Sequence, residues 1–105
     1  MRIAVAALFF TLGTAALAAD SPSPGKAKAQ MCATCHGVLG IGTMPDTPNL
    51  AGQPRIYLVE QLKQFRSGKR GHEVMNVIAK PLSDVDIGEL ADWFASIVVE
   101  ARPPR

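Results

Sequence analysis

The stretch Met31-Cys32-Ala33-Thr34-Cys35-His36-Gly37 decides how the rest of this chain is read. It holds both cysteines of the 105-residue sequence, and a histidine directly follows the second. Four chemistries compete for such a group. A structural zinc site wants about four ligands, usually completed by a distant Cys or His pair, and beyond the motif the chain offers only His72. A redox dithiol wants its cysteines at the start of a helix that follows a strand. Here a helix-forming segment precedes them and a glycine-rich one follows. Two free surface thiols suit an oxidising compartment poorly. Covalent haem attachment remains, the ordinary reading of Cys-x-x-Cys-His. Two thiols on one turn can reach the two vinyl groups on one side of a porphyrin, and the adjoining histidine then falls beneath the iron.

The N-terminus supports that reading. Arg2 gives a positive start, Ile3 to Leu12 form an apolar run, and Ala16-Leu17-Ala18 offers a small-residue cleavage site. The run is short and a polar Asp20-Ser21-Pro22-Ser23-Pro24 follows, so residues 1–18 read as a secretory signal peptide rather than a permanent membrane span. Residues 19–105 then form a single domain. Losing Arg2 takes one from the 11 basic residues against 9 acidic ones, leaving a near-neutral polypeptide with no call for nucleic acid as a partner. A domain of this size sits near the lower limit for an independent core. Both cysteines lie inside one motif and cannot staple distant parts, so another stabiliser is expected. A porphyrin packed by Leu50, Tyr57, Leu62, Phe65, Leu90 and Phe94 would supply it. Burying several hundred Å² of apolar area contributes on the order of ten kcal/mol before ordering costs.

Coarse patterning predicts an all-α domain. Gly25 to about Ala33 contains good helix formers. Gly37 to Gly52, broken by Gly40, Gly42, Pro45 and Pro48, has no period, and so long an irregular stretch in a small domain usually serves a site. Pro54 suits the first turn of a helix, along which Tyr57, Leu58, Leu62 and Phe65 share a broad face until Gly68. Val74 to Lys80 can form a short helix ended by Pro81. Ser83 and Asp86 have capping-box spacing, and Ile87, Leu90, Ala91, Phe94 and Val98 mark one face of a last helix.

An electron carrier needs a six-coordinate iron, whereas a gas-binding or peroxidatic haem needs an open or labile face. Candidates for the second axial ligand are Met31, Met44, Met75 and His72. Met31 adjoins Cys32 and is held on the histidine's side, and Met44 has only a short path around the disc. Met75 lies beyond a full helix and can close over the opposite face. His72 is near enough to rival it, and spacing alone prefers Met75 only modestly. Lys63, Arg66, Lys69 and Arg70 form either a docking patch for an acidic partner or an ordinary solvated helix end.

The sequence resembles class I cytochromes c, and within them one haem domain of the bacterial cytochrome c4 and c553 group. CATCHG at Cys32–Gly37, PNLAGQ at Pro48–Gln53, YLVEQLKQFRSGKR at Tyr57–Arg70 and MNVIAKPLSDVDIGELADWFAS at Met75–Ser96 carry the likeness, in family order. It implies several helices around one haem c, with thioethers at Cys32 and Cys35, His36 as proximal iron ligand and Met75 as distal ligand. Pro48 stands where the family uses a proline carbonyl to hold the proximal imidazole. Gly25 and Leu90 to Phe94 match the crossing of first and last helices. Trp93 departs from the tyrosine frequent in the group, and the second domain of cytochrome c4 proper is not expected here. The implied function is single-electron transfer in the periplasm, by a non-enzymatic carrier free or loosely associated with the membrane. Its partners would be a dehydrogenase, reductase or terminal oxidase. An electron-accepting subunit of a periplasmic dehydrogenase and a peroxidase-like or gas-binding protein are the alternatives.

Overall fold

The computed structural model describes residues 23–105, and the signal-peptide reading of residues 1–18 lies outside them. The described chain is helical: α1 (Pro24–Lys28), a 3₁₀ turn (Ala29–Cys32), α2 (Ala33–His36), α3 (Arg55–Ser67), α4 (Glu73–Ala79) and α5 (Asp84–Ser96). The all-α expectation therefore holds. The first helix does not stop before the cysteines. It tightens into the 3₁₀ turn and resumes, so the whole Cys-x-x-Cys-His motif is wound into one continuous right-handed path ending at Gly37. Each helical end has a local cause. Pro54 precedes α3 as its N-cap, one position earlier than expected, and Gly68, in left-handed backbone at φ 82°, ends it. Ser83 caps α5 in a complete capping box, its hydroxyl accepting from Asp86 N–H while the Asp86 carboxylate accepts from Ser83 N–H.

The core lies where α1 and α3 pack on α5. Ala29, Leu58, Leu90, Ala91 and Phe94 form its centre, and Cys32, Leu50, Val59, Leu62, Trp93 and Ile97 close around them. Gly25 makes the α1–α5 crossing possible, because a Cβ there would stand 2.0 Å from the Glu89 carbonyl oxygen and 2.8 Å from Trp93 Cβ. The expected crossing of first and last helices is thus present. Ion pairs reinforce α5 from both sides: Lys28 reaches Asp86 at 2.7 Å and also Glu89, Arg66 reaches Asp84 at 2.7 Å, and Arg55 pairs with Asp92.

Val98 departs from the expected α5 face. The helix ends at Ser96 because the Phe94 carbonyl accepts from both Ile97 N–H and Gly52 N–H, turning the chain into extended backbone and leaving Val98 89% exposed. The basic patch is also partly dissolved. Arg66 donates to the Leu82 carbonyl as well as pairing with Asp84, and Arg70 donates to Gln61 while lying over the Phe65 ring. Among the described residues no helix is long and apolar enough to cross a membrane.

Candidate functional site

His36 ends α2 and is buried, only 8% exposed. Its Nδ1 donates to the Pro48 carbonyl at 2.8 Å. That bond fixes the ring's orientation and tautomer and makes Nε2 the lone-pair nitrogen, the form a metal-ligating imidazole takes. Among the described residues Nε2 itself makes no hydrogen bond.

The irregular stretch after the motif is what brings Pro48 there. Gly40 sits at φ 75°, and its carbonyl accepts from Leu50 N–H at 2.7 Å and Ala51 N–H at 3.0 Å. Gly42 N–H donates to Asn49 Oδ1, and Thr43 returns to the motif through its N–H and hydroxyl, both donating to the Cys35 carbonyl. Gly52 N–H then ties the loop's far end to the Phe94 carbonyl on α5. The loop is accordingly a closed strap with Pro48 on its inner side. A Cβ on Gly40 would stand 2.8 Å from the Phe94 ring and 2.9 Å from Ala51 N, so its approach to the core requires glycine.

Cys32 and Cys35 are free and half-buried on the motif's helical path, one turn apart. Burial pushes the Cys32 thiol up, which disfavours the thiolate that a redox dithiol requires. Among the described residues no group of three or more His, Cys, Asp or Glu side chains is placed to hold a bare metal ion.

Met75 is half-buried in the first turn of α4, while Met31 and Met44 are 48% and 47% exposed. His72 has a part in the fold that its spacing did not reveal. It is the N-cap of α4, its Nδ1 accepting from the N–H groups of Val74 and Met75 at 3.2 Å each. The ring is exposed and meets Phe65 edge-on with centroids 6.4 Å apart. Leu50 packs half-buried against the core, whereas Tyr57 is 45% exposed on α3. Trp93 keeps the large ring, but among the described residues its buried Nε1 has no hydrogen-bond partner; Lys26 lies 5.6 Å from the ring centre. Asn76 was not singled out by its sequence pattern, yet its amide bonds to three backbone groups, the His72 N–H and the Phe65 and Arg70 carbonyls. The available signal was an asparagine beside Met75 within a helix, where that residue usually earns its place by bonding to backbone.

These residues fit a covalently attached haem: two thiols one turn apart, an imidazole presenting Nε2, and a thioether on a separate, firmly capped helix. Cys32, Cys35, His36 and Met75 would hold it.

The cytochrome c family matches residues 23–97. Cytochrome c4 of Pseudomonas aeruginosa is 39% identical over 98 residues, covering 91% of this chain and 49% of that protein. The thiosulfate dehydrogenase electron acceptor of Thiomonas intermedia is 35% identical over 104 residues, covering 98% of this chain and 46% of its own length. Among solved structures, reduced recombinant cytochrome c4 from Pseudomonas stutzeri superposes with a TM-score of 0.67 at 35% identity, over 70% of this chain and 44% of that one. The chain spans about half the length of these relatives.

Proposed function

Because this chain belongs to the cytochrome c family, we propose that it is an exported mono-haem carrier passing single electrons between periplasmic redox proteins, not an enzyme. A c-type haem bound at the motif supplies Fe(II)/Fe(III) chemistry. The protein's own residues do the rest. Cys32 and Cys35 anchor the group, and His36 supplies Nε2 with its Nδ1 proton committed to Pro48. That hydrogen bond fixes the imidazole's tautomer and keeps it from rotating. Met75 supplies a soft thioether, which favours the reduced metal. No side chain is asked to make or break a substrate bond. The observation that carries this reading is the His36–Pro48 bond, held by a strap tied both to the motif and to α5.

Electrons would pass at the edge beside Cys35. In the loop that follows the motif Val38, Leu39, Ile41 and Met44 are exposed, and Asp46 is the one acid or base of the Asp, Glu, Lys and Arg types between Ala29 and Gln53. A loop so poor in charge suits brief docking over a small area and replaces the basic patch as the favoured contact.

The test is a pair of oxidised and reduced spectra with a redox titration of the holoprotein and of Met75→Ala. We expect the variant to lose the far-red absorption of methionine-ligated oxidised haem and to have a lower potential. An unchanged spectrum and potential would remove Met75 from the iron.

One observation favours a second reading. The similarity to the Thiomonas intermedia electron acceptor spans nearly the whole chain, which supports an electron-accepting subunit of a dehydrogenase. Stable co-purification with a dehydrogenase would select it over a free shuttle.

A further inference from the structure

Asn76 follows Met75 on α4 and uses its entire amide. Its Oδ1 accepts from the His72 N–H at 2.6 Å, and its Nδ2 donates to the carbonyls of Phe65 and Arg70 at 2.8 Å each. Phe65 lies in the last turn of α3, and Arg70 in the turn that follows it. The pattern is a displaced capping box. In the ordinary form the N-cap side chain bonds forward while the side chain at the third helical position returns to the N-cap N–H. Here His72 bonds forward to Val74 and Met75, but the third position is Met75 itself, whose thioether is a poor acceptor. The return bond comes instead from the next residue, and the same amide reaches across to α3.

We propose that Asn76 is a positioning residue for Met75, locking the first turn of α4 onto the end of α3 and so setting how readily the thioether leaves the iron. The proposal rests on Met75 being the distal ligand. Its physical content is cooperative. Lifting the first turn of α4 away from α3 breaks the bonds to Phe65 and Arg70, removing the Asn76 donor from the Arg70 carbonyl and leaving the Phe65 carbonyl only the longer bond from Gly68 N–H. A competing ligand reaches the iron only in the opened form. Its apparent affinity is therefore its intrinsic affinity multiplied by the fraction opened.

Imidazole is the probe, titrated into oxidised holoprotein and followed in the visible spectrum. Asn76→Asp keeps the side chain's size and removes both donors, and Asn76→Ser shortens it. Each is expected to bind imidazole roughly tenfold more tightly than wild type, the factor that corresponds to losing one net hydrogen bond. Ser83→Ala weakens the α5 cap instead, and is expected to lower the unfolding midpoint while leaving imidazole affinity unchanged. Wild-type affinity in the haem-loaded Asn76 variants would overturn the proposal, as would tighter binding in Ser83→Ala equal to theirs. If Asn76→Asp does not load haem, Asn76→Ser decides. Failure of the underlying reading looks different: Met75→Ala would then keep the far-red absorption and the wild-type imidazole affinity, and both ideas would fall together.

Discussion

His36 and Gly40 show how one residue's requirement passes to another. The imidazole needs an acceptor at Nδ1, and the acceptor is a backbone carbonyl, so no side-chain substitution at Pro48 deletes it. What can be disturbed is the strap that carries it. Gly40→Ala would put a methyl group against the Phe94 ring and Ala51 N in a backbone conformation that L residues rarely adopt. We expect a loss of about 1–3 kcal/mol in denaturant unfolding of the holoprotein, together with a shifted potential as Pro48 moves. A stability loss with an unmoved potential would mean the strap supports the fold and leaves the imidazole alone. At this scale the grouping of Cys32, Cys35 and His36 on one helical path was readable in the sequence, since they stand within about one turn of each other. The role of Asn76 was not, because its partners are backbone carbonyls at Phe65 and Arg70, and nothing in residue type points to them.

Helices α4 and α5 are set by their first turns. The Ser83–Asp86 box was legible because both partners are local. The same Asp86 also faces Lys28 from α1, a contact that no local pattern reveals. The Lys28 ammonium and the Ser83 N–H together hold the Asp86 carboxyl at about 2, against an ordinary 3.8. Lys28 is shifted upward by Asp86 and Glu89 and stays cationic throughout that range. A carboxyl depressed by folding stabilises the native state fully above its unfolded value, and that contribution is lost as pH falls through the folded one. Asp86→Asn can keep an acceptor for the Ser83 N–H while removing the charge and the oxygen that faces Lys28. Wild type should therefore exceed the variant in unfolding midpoint at neutral pH, with the gap closing between 3.8 and about 2. A gap that persists unchanged to the acid end would assign the difference to packing and not to the ion pair. Val98 was misplaced at this same scale. Apolar periodicity continues past Ser96, but the Phe94 carbonyl is already taken by Ile97 and Gly52, and a tertiary bond outweighs the pattern.

Across the molecule, α5 is the element to which α1, α3 and the strap are tied. It packs on α1 and α3, receives the strap at Phe94, and is paired with Lys28, Arg55 and Arg66. The last three helices and the α1–α5 crossing could be read from the sequence because proline, glycine and the apolar faces mark them, whereas the continuation of the first helix through the motif as α2 could not. The shape of the strap could not, since its path depends on bonds between Gly40 and Leu50 or Ala51, which residue types alone do not specify. This architecture separates two consequences of disturbing the crossing. In Gly25→Ala the new methyl would collide with the Glu89 carbonyl, so α1 must move off α5 and the contact that joins the two ends of the domain is weakened. A loss of about 1–3 kcal/mol is expected in chemical unfolding, the usual range for overpacking a tight contact. Met75, however, stands on α4, whose first turn is fixed to α3 through Asn76 and is independent of α1. The far-red absorption of the oxidised holoprotein and its imidazole affinity should consequently match wild type even as the unfolding midpoint falls. If imidazole affinity rises in step with the loss of stability, the distal side is opened by general loosening of the domain, and α4 has no separate latch.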